Sequence, residues 1–308
     1  MVTIISSHYE LGQKKESLKE LCHLNKDWDY ERLLLKTGIK FRHILGDNET
    51  PESLSIKAGR KCIEKSINKD IDGIIYVTQS PSLPLPTRAC HLQDKLGIKK
   101  NSLAFDINQG CSGFVYALST ATALIKNDNA SRILIICADH YSKYISKQDR
   151  TSRPIFSDAA AAIIIERSSS TKIGPFVFKT SGDGGQFLTV NEKKNKLYMD
   201  GPAVLKFSLN LVPEATHELL DKANYKMEDI DTFIFHQASA VVLNKLKKKL
   251  NIEDMKWFNE IENIGNTVSA TIPIAINILQ NNNKFPDNKK YLLMGFGVGL
   301  SVAGCIIS

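Results

Sequence analysis

Four short segments recur, in the same order, in the two halves of the chain. Asp70-Ile71-Asp72-Gly73-Ile74-Ile75-Tyr76 is matched by Asp229-Ile230-Asp231-Thr232-Phe233-Ile234-Phe235, and Leu96-Gly97-Ile98 by Leu250-Asn251-Ile252. Gly110-Cys111 is matched by Gly265-Asn266, and Arg132-Ile133-Leu134 by Tyr291-Leu292-Leu293. Each pair is separated by about half the chain. One such match is weak, but an ordered set points to a duplicated supersecondary unit. Strand-like and helix-like runs alternate within each unit, which argues an α/β fold. In the first half, strands are expected over Ile71–Thr78, Ser102–Ile107, Arg132–Ala138 and Ala159–Ile165, with helices over Thr87–Leu96 and Ser112–Lys126. In the second half, Ile230–Phe235, Tyr291–Met294 and Ser301–Ile307 read as strands. Val241–Leu250 and Thr267–Gln280 read as helices, the latter carrying Pro273. The polar, turn-rich stretch Glu166–Gly174 is the expected join, giving halves 1–168 and 169–308.

Composition removes several function classes. The net charge of +7 comes from 40 basic and 33 acidic residues. Its lysines read as a solvated surface, with no nucleic-acid-binding signature beside them. No apolar run approaches the ~18 residues that span a bilayer. The start, Met1-Val2-Thr3-Ile4-Ile5-Ser6-Ser7-His8, lacks a basic stretch followed by a long apolar one, so no leader and no membrane are expected. Six scattered cysteines (22, 62, 90, 111, 137, 305) form no C-x-x-C pair. Reduced cytoplasmic thiols are expected, and no metal site.

Cys111 stands in Asn108-Gln109-Gly110-Cys111-Ser112-Gly113-Phe114, where a strand runs through a glycine-flanked turn into a helix. A helix start favours thiolate, and the residue's own N–H can help form an oxyanion hole. The ordinary alternative is a cysteine that simply fits a crowded turn. His236 follows the apolar strand Phe233-Ile234-Phe235 and lies where α/β proteins place site residues, although a structural histidine is common there. Asn266 opens the second apolar helix, which an asparagine can do merely as a cap. If the two units face each other about a pseudo-twofold, both helix starts and His236 converge on one pocket. Gly295-Phe296-Gly297-Val298-Gly299 lets backbone pass close to a ligand or makes a plain turn. Gly182-Asp183-Gly184-Gly185 lacks the Lys-Ser/Thr of a phosphate loop and reads as a turn.

Taken together, the motifs resemble those of the β-ketoacyl-acyl-carrier-protein synthase III family of the thiolase superfamily, essentially end to end. Thr37-Gly38-Ile39 with Arg42-His43, the Cys111 turn and Phe156-Ser157-Asp158-Ala159-Ala160-Ala161 carry the first half. Met199–Phe207, His236-Gln237-Ala238, Gly265-Asn266-Thr267 and Gly295–Ser301 carry the second. The resemblance implies a thiolase-like five-layered α/β/α/β/α fold from two duplicated halves, in a homodimer. It implies a triad of Cys111, His236 and Asn266, with an oxyanion loop at Gly297, Val298 and Gly299. Leu85 and Phe296 fall at acyl-pocket positions. Lys206, Lys248 and Lys249 fall at positions that dock an acyl carrier protein, and Arg32, Lys36 and Arg150 on the nucleotide side of coenzyme A. Arg32 and Lys36 replace a tryptophan and an arginine common in the family, with Trp28 four residues before Arg32. That leaves acyl-CoA or an acyl-carrier-protein phosphopantetheine thioester as donor, and no permanently bound cofactor. The implied reaction is acyl loading on Cys111, then decarboxylative Claisen condensation with malonyl-acyl carrier protein. The alternative is acyl transfer from Cys111 to an alcohol or amine in a polysaccharide or secondary-metabolite pathway. A papain-like hydrolase is disfavoured, because Cys111 is mid-chain and the C-G-S/A-C-W/Y signature is absent.

Overall fold

A computed structural model describes residues 1–169, 171–191 and 195–308. The chain opens with β1 (Val2–Leu11), the short β2 (Lys14–Ser17), α1 (Leu18–Leu24), α2 (Tyr30–Thr37), β3 (Phe41–Ile44) and α3 (Pro51–Glu64). Then come β4 (Gly73–Val77), α4 (Arg88–Lys95), β5 (Leu103–Ile107), α5 (Gly113–Lys126), β6 (Arg132–Asp139) and β7 (Ala159–Arg167). Next are β8 (Ile173–Thr180), the small hairpin β9 (Leu188–Asn191) and β10 (Lys196–Met199), and the long α6 (Gly201–Ala223). The remainder is β11 (Thr232–Phe235), α7 (Ala240–Lys249), α8 (Ile261–Ile264), α9 (Thr271–Asn281), β12 (Tyr291–Gly297) and β13 (Ser301–Ile307). Ser170, inside the expected join, lies outside the described residues.

Two sheets dominate, with orders β1-β7-β6-β4-β5 and β8-β13-β12-β11. Their pairings correspond strand for strand. β4/β6 and β11/β12 are parallel, while β6/β7, β12/β13, β1/β7 and β8/β13 are antiparallel. The partner of β5 has shrunk in the second sheet to an isolated parallel bridge, Phe233 to Trp257. The repeat seen in the sequence is therefore a repeat of topology.

The alternation of strand side chains makes the layers. Ile75, Val77, Ile133 and Ile135 face inward with Ile234, Tyr291, Leu293 and Cys305, against α5 and α9. Ile74, Tyr76, Leu134 and Ile136 face outward under α3 and α4. Phe233, Phe235, Leu292 and Met294 face α6 and α7 on the far side. The order is helices, sheet, helices, sheet, helices. Strands buried on both faces must be apolar throughout, which is why they read as unbroken runs. Two apolar helices between two sheets likewise explain why α5 and α9 are apolar nearly all round.

Local signals set the entries. Asp200 caps α6 by accepting from the Ala203 N–H (3.0 Å), with Pro202 in the first turn; such a cap stabilises by ~1 kcal/mol. Two expected helix starts are displaced. A 3₁₀ turn, Gly110–Ser112, precedes α5, and another, Val268–Ala270, precedes α9. Cys111 thus sits on a 3₁₀ turn ahead of its helix, and Asn266 on an isolated bridge to Phe156 just before the second 3₁₀ turn. The 182–185 segment is part of a short 3₁₀ turn (Gly182–Phe187). Among the described residues no helix is long and apolar enough to cross a membrane.

Candidate active site

Cys111 is 4% exposed. β12 crosses directly beneath its turn. A Cβ on Gly295 would lie 2.8 Å from the Cys111 carbonyl oxygen, and one on Gly297 would lie 3.0 Å from both Cβ and Sγ of Cys111. Glycine at these two places lets the strand end touch the nucleophile turn. Ser301 ties the two together. Its hydroxyl lies 2.8 Å from Ser112 Oγ, accepts from Gln109 Nε2 (3.1 Å) and donates to the Val298 carbonyl (2.8 Å).

His236 follows β11, its N–H bonded to the Met294 carbonyl at 2.8 Å. The imidazole meets Phe296 edge-on at 5.4 Å, and its Nδ1 lies 2.7 Å from Thr271 Oγ1. Asn266 is held by strand-like bonds across the two halves: its N–H to the Ile155 carbonyl (2.9 Å) and its carbonyl from the Ser157 N–H (2.8 Å). Asn266 Oδ1 accepts from the Val268 N–H (2.9 Å), so its Nδ2 is turned to the Ala238 carbonyl (3.3 Å) and His236 Nε2 (3.5 Å).

Cys111, His236, Asn266, Phe296, Gly297 and Val298 all line one cavity of about 280 Å³. Its outer walls come from α6 and α7, including Val204, Leu205, Ser239 and Val242. Lys36 lies on its wall, and Arg150 is exposed beside the wall residue Thr151. Arg32 is exposed one helical turn before Lys36 on α2, a helix packed against α7. Lys206 is exposed on α6 next to the wall residue Leu205. Lys248 and Lys249 are exposed at the far end of α7, and Lys249 Nζ donates to the Leu209 carbonyl of α6 (2.6 Å). Gly299 follows the wall residues Gly297 and Val298 in the same loop. Leu85 is not in the cavity wall; its side chain is 81% exposed in the single chain.

Electrostatics correct one expectation. The turn does not favour thiolate: burial pushes the Cys111 thiol up to about 12, and the Asp139 carboxylate adds to the rise. Backbone hydrogen bonds from Val298 and from Cys111 itself act the other way. One 3₁₀ turn at the helix start does not overcome removal from water. Asp139 is buried with its own carboxyl pushed up to about 6 by desolvation, against bonds from Gln79, Ser80 and Ser269. Burial lowers His236 to about 3, so the imidazole is neutral.

Sequence reasoning missed Asp139 and Tyr141, the latter a cavity-wall residue whose hydroxyl donates to Gln79 Oε1 (2.6 Å). The available signal was their place at and just past the carboxyl end of the buried strand Arg132–Asp139 in an α/β sheet. Thr271 was missed too, because its only mark is five residues of separation from Asn266.

The C-terminal part, residues 220–308, matches the family model described as 3-oxoacyl-[acyl-carrier-protein (ACP)] synthase III C terminal, and residues 105–182 match 3-oxoacyl-[acyl-carrier-protein (ACP)] synthase III. A β-ketoacyl-[acyl-carrier-protein] synthase III of Clostridium novyi is 35% identical over 307 residues, covering 95% of this chain and 93% of its own. A crystal structure of a 3-oxoacyl-(acyl-carrier-protein) synthase III superposes with a TM-score of 0.95 at 36% identity, covering 99% of both chains. The corresponding enzyme of Aquifex aeolicus superposes at 0.94 with 29% identity, covering 100% of this chain and 99% of its own.

Proposed function

The chain belongs to the 3-oxoacyl-[acyl-carrier-protein] synthase III family of acyl-transferring condensing enzymes, and from that premise we propose that Cys111, His236 and Asn266 are its catalytic residues. Cys111 attacks an acyl thioester; the acyl group moves to sulfur, and the thiol proton leaves with the departing thiol. The Cys111 and Val298 N–H groups, which act to hold the Cys111 thiol down against burial, stabilise the oxyanion of this step. Malonyl thioester then loses CO₂ to give an enolate. The enolate carbon attacks the acyl-cysteine, the β-ketoacyl thioester leaves, and Cys111 regains a proton from solvent.

The observation that carries this reading is the pair of nitrogens at the cavity wall. Asn266 Nδ2 and His236 Nε2 stand 3.5 Å apart. That is long for a bond between them but suits two donors flanking one oxygen at ~2.8–3.0 Å from each. One enolate oxygen fits between them, and each such donor lowers a barrier by ~2.7–4 kcal/mol. Direct acyl transfer to an alcohol or amine makes no enolate and calls on a histidine as base rather than on two donors at one oxygen.

The carrier thioester enters past Lys36 and Arg150, with Lys206, Lys248 and Lys249 meeting an acidic carrier protein; acyl-CoA or acyl carrier protein supplies the first acyl group. Residues 1–168 and 169–308 are the two halves of each protomer, and two protomers form a cytoplasmic homodimer. Leu85 reaches an acyl chain only if a second copy brings it there; Leu83, 54% exposed in the same loop, fits that contact. The test is CO₂ release from malonyl-acyl carrier protein in the presence of acyl thioesters. Wild-type protein should release CO₂ with a β-ketoacyl product, and His236→Ala and Asn266→Ala should each lose ~10²–10³-fold. No release from any carrier-bound malonate, or full rates in both variants, would refute the assignment.

A further inference from the structure

We propose that Thr271 is a positioning residue that sets the tautomer of His236, its hydroxyl donating to Nδ1 so that the ring proton sits on Nε2 and points into the cavity. The inference rests on the donor role of His236 given above. The ring itself has little freedom. Its backbone N–H is tied to Met294, and its face is bounded by Phe296. What remains open is which nitrogen carries the single proton of a neutral imidazole.

Thr271 Oγ1 is the described partner of Nδ1, at 2.7 Å. The same hydroxyl lies 3.2 Å from the Val268 carbonyl. A threonine hydroxyl has one hydrogen, so two arrangements exist. In the first it donates to Nδ1, and Nε2 is N–H. In the second it donates to Val268, accepts from Nδ1–H, and Nε2 is left as a bare acceptor. The shorter distance is the ordinary one for a strong hydroxyl donor, whereas 3.2 Å is long for O–H to carbonyl. The second arrangement would also need a good donor to Nε2, and the Asn266 amide at 3.5 Å is a poor one. Both observations select the first.

The placement is braced from both halves. Thr271 is the first residue of α9, and the 3₁₀ turn before it is pinned to the other sheet: Ser269 N–H and Oγ both donate to Asp139, at 3.3 and 2.5 Å. β-Branching restricts the rotamers of Thr271, which keeps the hydroxyl on the ring. No carboxylate faces Nδ1 among its described hydrogen bonds. A neutral donor therefore holds a neutral ring, and Nε2–H is available without protonating the imidazole.

Thr271→Val keeps the shape and removes the hydroxyl. With the full-length protein, its decarboxylation kcat on malonyl-acyl carrier protein should fall about ten- to a thousand-fold, the ceiling being loss of one oxyanion donor. KM should stay within about threefold, and acylation of Cys111, which uses backbone N–H groups, should persist. Thr271→Ser should restore most of the rate. In ¹⁵N-histidine NMR, the His236 signal, assigned by its loss in His236→Gln, should show Nε2 protonated in wild type and a shift toward Nδ1 in the valine variant. Unchanged decarboxylation in Thr271→Val, or a wild-type ring protonated at Nδ1, overturns the inference. The NMR of the wild type decides the matter even if the valine variant does not fold. Wild-type protein that releases no CO₂ would instead refute the functional reading itself.

Discussion

Gly297→Ala probes the contact on which the oxyanion arrangement depends. Gly297 has φ +154°, and the added Cβ would meet Cys111 Cβ and Sγ at 3.0 Å. Ordinary contact begins near 3.4 Å, so either the sulfur or the Val298 N–H must give by several tenths of an ångström. The backbone conformation itself costs ~1–3 kcal/mol for a residue with a side chain. A misplacement of ~1 Å at reacting groups costs ~10²-fold. A shift of about half that predicts acylation of Cys111 slowed about ten- to a hundred-fold, or ~1.4–2.7 kcal/mol of barrier. The assay is a rapid-quench, intact-mass time course with an acyl thioester, beside thermal unfolding. Gly182→Ala is the control, since a Cβ there meets nothing within 4 Å. Acylation of Gly297→Ala at the wild-type rate, with unchanged thermal stability, would refute the reasoning.

Asp139→Asn removes the charge that helps hold the Cys111 thiol high, so iodoacetamide should alkylate Cys111 faster at pH 8, about tenfold for each unit the thiol falls; an unchanged or slower rate contradicts this. His236 has its folded value near 3 against 6.5 unfolded, so the unfolded chain binds a proton that the native chain refuses between those values. Stability should therefore drop as pH falls below 6.5, and the urea midpoint should shift less between pH 7 and 5 in His236→Gln than in wild type. Lys206→Glu combined with Lys248→Glu should raise KM for malonyl-acyl carrier protein about three- to tenfold at low salt, an effect that shrinks as salt rises. The same pair should leave KM for malonyl-pantetheine unchanged, and a parallel rise there would argue against carrier docking.

Much of this architecture was written in periodicity. The buried strands β4, β6, β7 and β11–β13 are apolar on both faces, and the paired segments around Ile74 and Phe233 announced the duplication. The helix starts were legible only to within a turn, because Cys111 occupies a 3₁₀ turn packed on β12 and Asn266 a bridge to Phe156 just ahead of a 3₁₀ turn, neither set by local propensity. The edge elements β1, β8 and the β9–β10 hairpin were not legible. β1 mixes Ser6, Ser7 and His8 into its run, and its place comes from pairing with β7, far along the chain. Within the site, glycines, Cys111 and His236 stood out because apolar strands run into them, and Asn266 because it stands ahead of an apolar helix at the repeat position of Cys111. Thr271 and Asp139 did not, since their roles arise from hydrogen bonds to residues far along the chain, His236 and Ser269. The thiol of Cys111 was misjudged for a related reason: local helix geometry was visible, while burial and the Asp139 charge were not.

The most direct measurement is peptide-resolved mass spectrometry of the protein incubated with an acyl thioester and then chased with malonyl-acyl carrier protein. The account predicts an acyl group on the Cys111 peptide that disappears during the chase as a β-ketoacyl thioester and CO₂ form together. An acyl group carried on another residue, or the same product formed at full rate by Cys111→Ala, would contradict it.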